Sequence, residues 1–182
     1  MNEQAEQIDI RKFFDEEFDV KKFIGIMAAI EVKGVKFYEA LAERAATPEV
    51  KDLFLLLAGE EKQHIKDFKT LARVLENELT PGESCSLEEK EFLRGIVSSH
   101  SFFQKGAADA VVMGPSFTYI NLAQVNTARE ALELALRFER DSIMVFQEIE
   151  NYVCDAGKEI LKDLIAQEKG HVRKLMHYFK EL

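Results

Sequence analysis

Leu53-Phe54-Leu55-Leu56-Leu57-Ala58-Gly59-Glu60-Glu61-Lys62-Gln63-His64 is the stretch around which the chain is organised. An apolar run leads straight into a carboxylate and, three residues on, an imidazole. Positions three apart on an α-helix lie one above the other on one face. Glu61 and His64 therefore point the same way as Leu53, Leu57, Phe68, Leu71 and Leu75. A charge and a metal-capable ring fall in the middle of a stripe that should be buried.

Working outward, Thr47 followed by Pro48 reads as an N-cap with proline at the first helical position, and this helix runs to about Glu78, where Thr80-Pro81-Gly82 ends it. Before it, Asp19 is a plausible N-cap for a helix from Val20 to about Ala45. In that helix Ile24, Met27, Ala28, Val35, Tyr38 and Leu41 recur with helical period, and Glu31 sits inside the same stripe. Each helix would be roughly 40 to 45 Å long. The joint between them is tight, so they should pack antiparallel. Residues 1–18, acidic with Phe13, Phe14 and Phe18, read as a loose arm or short helix on the body or on a second subunit, or equally as a frayed terminus.

Residues 79–126 have another character. Ser86 with Glu89 forms a capping box that opens a short helix over Leu87–Ser98. Beyond it, Ser101–Asn126 mixes Gly106, Gly114 and Pro115 with apolar residues in no clear period. A linker of this length inside a compact domain usually has a task, and crossing from one end of a bundle to the other is such a task. Thr127 and Glu130 form a second capping box, opening a helix to about Cys154 with the inner stripe Leu132, Ala135, Glu139, Ser142, Ile143, Phe146, Ile149 and Val153. After a joint at Asp155-Ala156-Gly157 the last helix carries Leu161, Leu164, Glu168, His171, Leu175 and Tyr178. Glu-x-x-His again interrupts an apolar face.

One Glu three before a His means little where 33 of 182 residues are acidic. The arrangement means more. Glu31 precedes Glu61 by 30 residues and Glu139 precedes Glu168 by 29. Glu31, Gly34, Val35, Tyr38 and Leu41 match Glu139, Ser142, Ile143, Phe146 and Ile149 at equal spacings. Leu57, Glu61, His64 and Phe68 match Leu164, Glu168, His171 and Leu175. The chain reads as two copies of a helix pair, each supplying one lone Glu and one Glu-x-x-His. Folded together, they put Glu31, Glu61, His64, Glu139, Glu168 and His171 in one central layer. Four carboxylates in an apolar core cannot remain ionised and unpaired, at an effective cost of several kcal/mol per ion. Two divalent cations would offset them. Such a set is that of di-iron and di-manganese carboxylate bundles, and ligand type leaves iron, manganese or a mixed pair open. A buried network of protonated Glu and neutral His is the reading without metal.

With these residues in hand, the chain resembles the rubrerythrin-like branch of the ferritin-like superfamily. The resemblance is carried by Glu31 with Tyr38 seven later, Glu61-Lys62-Gln63-His64, Glu139 with Phe146 seven later, and Glu168-Lys169-Gly170-His171, across roughly residues 20–79 and 127–182. It implies an all-α, ferritin-like antiparallel four-helix bundle with a long crossover, containing a short extra helix, between helices 2 and 3. It also implies a carboxylate-bridged metal pair, iron first, and chemistry with O₂ or peroxide. Two departures stand out. Rubrerythrins usually carry an extra Glu where this chain has Ser142. They also usually carry a rubredoxin module built on four cysteines, whereas Cys85 and Cys154 stand alone, so an external electron donor is expected.

The expectation is one ferritin-like domain over 1–182: arm 1–18, first helix pair 19–78, crossover 79–126, second pair 127–182. Its function would be that of a dinuclear-metal oxidoreductase reducing peroxide or O₂, or oxidising Fe(II). A non-enzymatic iron-storage protein, a helical interaction module with a structural metal site, and a di-iron hydroxylase are the other readings. Glu31 and Glu139 would be terminal or bridging ligands, Glu61 and Glu168 bridging or bidentate, and His64 and His171 one to each metal. Tyr38 would hydrogen-bond a ligand carboxylate, act as a redox-active phenol, or simply pack. His100 and His177 have no partner at ligand spacing and are expected at the surface or behind the ligands. Glu60, four before His64, is a possible substitute for Glu61, but Gln167 in the second copy favours Glu61.

A net charge of −9 argues against nucleic acid or an anionic membrane as partner. The absence of a basic, apolar leader or a spanning apolar run suits a cytoplasmic protein, and a homodimer is expected. Phe102, Phe103 and Phe117 would cover the bundle or form the dimer contact.

Overall fold

The computed structural model describes residues 20–77, 86–100, 103–105, 111–113 and 125–181. Among them are five α-helices: α1 (Val20–Arg44), α2 (Pro48–Asn77), α3 (Leu87–Ser99), α4 (Ala128–Ile149) and α5 (Asp155–Glu181). α1 lies along α2 and α4 along α5, while α2 meets α5, α1 meets α4, and α3 packs on α4. The body is thus the expected all-α four-helix bundle with a long crossover carrying a short helix. The crossover also holds a short antiparallel ribbon, β1 (Phe103–Lys105) with β2 (Val111–Met113), in which Phe103 faces Met113 and Lys105 faces Val111. Strands of three residues are too short for an alternating pattern to be read from sequence.

The helix starts follow local chemistry. Both capping boxes form: Ser86 Oγ accepts from Glu89 N at 3.2 Å, Thr127 Oγ1 accepts from Glu130 N at 3.2 Å, and each Glu side chain accepts from its cap's backbone N–H. Thr47 caps α2 more weakly, with Val50 N at 3.4 Å from its Oγ1. The helix ends differ from expectation in one place. α4 stops at Ile149 and tightens into a 3-10 turn over Glu150–Tyr152, so that Val153, in extended conformation, begins the joint. Such a turn satisfies the last carbonyls of a helix within a shorter rise. The joint consequently lies at Val153 and Cys154, and Gly157, expected within it, stands in the first turn of α5. A Cβ there would come within 3.1 Å of Leu71 Cδ1 and Val153 Cβ. The glycine lets the start of α5 pack closely on Leu71 of α2 and on Val153 of the joint.

One apolar core runs through all four long helices. On α1 the buried arc exceeds the expected stripe, taking in Phe23, Ile26, Ile30 and Phe37 as well, because this helix faces both α2 and α4. No helix among the described residues is long and apolar enough to cross a membrane. The arm 1–18, the cap Asp19, the stop at Thr80-Pro81-Gly82, Cys85, Phe102 and Phe117 lie outside the described residues.

Candidate metal centre

Glu31 from α1, Glu61 and His64 from α2, Glu139 from α4, and Glu168 and His171 from α5 all reach the centre of the bundle, each no more than 1% exposed. Their spacing on the helices explains it: Glu61 with His64 and Glu168 with His171 are i, i+3 pairs on inward faces, and the lone Glu residues oppose them from α1 and α4. The imidazoles of His64 and His171 stack with ring centroids 5.2 Å apart. Gly34, one turn after Glu31, lets α1 come close at this level, since a Cβ there would lie 2.8 Å from Phe138 Cζ and 3.4 Å from Glu61 Cγ.

Two groups of candidate ligand atoms form, each within 4.8 Å: Glu31, Glu61, His64 and Glu168, and Glu61, Glu139, Glu168 and His171. They share Glu61 and Glu168. Nδ1 is the inward nitrogen of both rings. His64 Nδ1 lies 3.1 Å from Glu61 Oε2 and 3.1 Å from Glu168 Oε1. His171 Nδ1 lies 3.2 Å from Glu139 Oε2 and 2.9 Å from Glu168 Oε2. Despite these approaches, both oxygens of Glu31 and of Glu168, Oε1 of Glu61 and Nε2 of His64 have no hydrogen-bond partner among the described residues. Orphaned buried acceptors cost free energy, and so many converging on one place is what a bound cation would relieve.

The electrostatics agree. Burial, then the charges of Glu31 and Glu168, push the Glu61 carboxyl well above the usual carboxylate range. Burial and Glu168 do the same to Glu139. For Glu168 burial also opposes ionisation, but Glu139, His171 and His64 outweigh it and hold the carboxyl low. The two rings stand close enough to Glu168 to stabilise its charge though out of line to bond it. Burial opposes charging of both imidazoles as well. The carboxylates override it, raising His64 above its ordinary range through Glu168, Glu31 and Glu61, and His171 to about 10 through Glu139 and Glu168. Without metal, protons on these imidazoles and carboxyls would supply the positive charge this layer needs. Four carboxylates and two imidazoles in two overlapping groups fit a pair of divalent transition-metal ions.

Around this layer stand residues whose part the sequence only partly signalled. The Tyr38 hydroxyl donates to Glu139 Oε1, and its ring stacks on Phe54 at 6.1 Å. Burial and the Glu139 and Glu61 charges raise the phenol's pKa. Phe54 in turn lines a cleft of about 320 Å³ with Leu41, Arg44, Val50 and Ala131. Glu60, set aside as a ligand, has Oε2 3.2 Å from His171 Nε2 and is held by Lys174 Nζ at 2.6 and 2.5 Å. His100 is buried, not at the surface: its Nε2 lies 3.3 Å from Ser142 Oγ, the place of the extra Glu in rubrerythrins. No spacing in the sequence could reveal that contact, which spans α3 and α4. His177 is exposed, at the surface as one of its two expected places, and Cys154 is half-buried.

Comparison with known proteins bears on fold and family. Residues 22–97, covering α1 to α3, match the family model described as Rubrerythrin. A protein of Thermotoga maritima described as ferritin-like and diiron-carboxylate superposes over 91% of this chain and 97% of its own, with a TM-score of 0.62 and 24% identity. The encapsulin nanocompartment cargo protein EncB of Myxococcus xanthus is 28% identical over 102 residues, which are 56% of this chain and 59% of that protein, so well under two thirds of the relative is matched. The fold is ferritin-like, and the chain resembles the rubrerythrin-like branch of that superfamily, as its motifs implied.

Proposed function

We propose that the chain is a dinuclear-metal oxidoreductase, with iron as the first expectation and manganese or a mixed pair as alternatives. Glu31, Glu61, His64, Glu139, Glu168 and His171 would hold the metals. The observation that carries this reading is the set of buried, orphaned carboxylate oxygens converging in two groups that share Glu61 and Glu168. A bound pair of redox metals would supply two electrons for reducing peroxide or O₂, or would accept them from Fe(II). The protein's part is to hold the carboxylates in a water-poor layer, orient both rings with Nδ1 inward, and hold a proton on Tyr38 against Glu139. An external electron donor belongs to this reading, as do a cytoplasmic location and a homodimer. The test is metal content by elemental analysis of protein purified without chelators, beside Glu61→Ala/Glu168→Ala. About two iron or manganese atoms per chain, lost in the variant, are expected. Reduced, loaded protein should then consume H₂O₂ or O₂ faster than the free metal, and failure there would remove the enzymatic reading.

Likeness to a nanocompartment cargo protein favours a second reading, in which the chain handles iron inside a protein shell. Sizing chromatography of natively expressed protein separates the cases: elution within a shell-sized particle supports cargo, and a free dimer sets it aside.

A further inference from the structure

We infer that the two metal positions are unequal, the one bounded by Glu139 and His171 binding first and more tightly than the one bounded by Glu31 and His64. This rests on the dinuclear reading above. Glu61 and Glu168 are common to both positions, so any difference comes from the remaining two ligands of each and from what stands behind them.

At one end both are held from outside. The Tyr38 hydroxyl bonds Glu139 Oε1, leaving Oε2 toward His171. Glu60 Oε2 lies 3.2 Å from Nε2 of His171, its outer nitrogen, and Lys174 from α5 pins that carboxylate. A carboxylate beside the outer nitrogen keeps the proton there and leaves the lone pair on Nδ1, facing the layer. At the other end, among the described residues, neither oxygen of Glu31 nor Nε2 of His64 has a hydrogen-bond partner.

The sequence contains the reason. Tyr38, seven after Glu31, is answered in the second copy by Phe146, which has no hydroxyl. Glu60, just before Glu61, is answered by Gln167, which is exposed. Because the pairs cross the bundle, both departures from the repeat favour the same end. Ligands whose outer faces are already held need less ordering when metal binds, and loss of such partners typically lowers metal affinity 10- to 100-fold.

Anaerobic titration of the full chain with Co(II), followed by its visible absorption, tests this directly. Two binding steps separated by about tenfold or more are expected. His171→Ala should remove the tighter and His64→Ala the weaker. Tyr38→Phe and Glu60→Ala, checked for folding by circular dichroism, should each weaken the tighter step by roughly 10- to 100-fold and spare the weaker. Two equal steps in the unmodified chain, or variants that weaken both steps alike, would overturn the inference and leave the dinuclear reading standing. No Co(II) uptake would overturn both.

Discussion

Gly34 and Gly59 show how one residue type serves opposite ends. Both are helical, where alanine would be favoured over glycine by up to about 1 kcal/mol. At Gly59 a Cβ would meet nothing within 4 Å, so Gly59→Ala should stabilise the fold by about 0.5–1 kcal/mol. At Gly34 the Cβ would press on Phe138, whose ring is wedged against Phe37, Tyr38 and His100 and cannot swing away. Overpacking of this kind costs about 1–3 kcal/mol and outweighs the propensity gain. Gly34→Ala should therefore lower the melting temperature, and it should weaken metal uptake too, because Glu61 lies against the same spot. Thermal unfolding of both variants, with and without Co(II), checks the pair; a stabilised Gly34→Ala would show that the close approach of α1 does not matter.

At the scale of elements, helix ends are set locally and helix pairing is set by the inward faces. Thr127→Ala removes the side-chain acceptor of the α4 capping box and should cost about 1 kcal/mol in chemical denaturation. By contrast Glu39→Gln, which breaks an ion pair with Lys62 between two largely exposed side chains, should change stability by less than about 1 kcal/mol. The same reasoning separates that pair from Glu60 with Lys174. The latter joins α2 to α5 from a half-buried position and touches His171, so its loss should register in metal binding more than in melting.

For the whole molecule, the central layer makes stability depend on pH and on metal together. Burial holds His100 down at about 3, opposed only in part by Glu168. An unfolded histidine titrates near 6.5, so between about 6.5 and 3 the unfolded chain takes up a proton that the folded one refuses. Stability is thus lost as pH falls through that window. His171 acts in the other direction: raised to about 10, its contribution is complete below about 6.5 and fades as pH rises toward 10. Glu61 and Glu139, whose carboxyls resist ionisation in the fold, add to the alkaline loss. Their loss begins near the unfolded carboxylate value of about 4.3 and outweighs the single gain from His100 up to about 6.5. Metal-free protein should accordingly melt highest at about pH 4.5 and fall away on both sides. Metal requires the deprotonated ligands, so loading should release protons and remove the alkaline limb. Calorimetry across pH, and titration in buffers of different ionisation heat, read both effects; a metal-free protein that gains stability from pH 7 to 9 would contradict the proton-filled layer.

Periodicity and the internal repeat were enough to set out the four long helices, both capping boxes and the six Glu and His residues of the central layer, because each depends on spacing along one helix or on equality between two copies. What spacing cannot carry is contact between helices far apart in sequence. Only the tertiary structure brought His100 onto Ser142, Tyr38 onto Glu139, and Glu60 with Lys174 onto His171, since side chains 42 to 114 residues apart meet only once the bundle has closed. The short ribbon and the early end of α4 belong there too. Three-residue strands hold no period, and a helix stops where its neighbour must begin, a condition set by packing and not by the residues at its end.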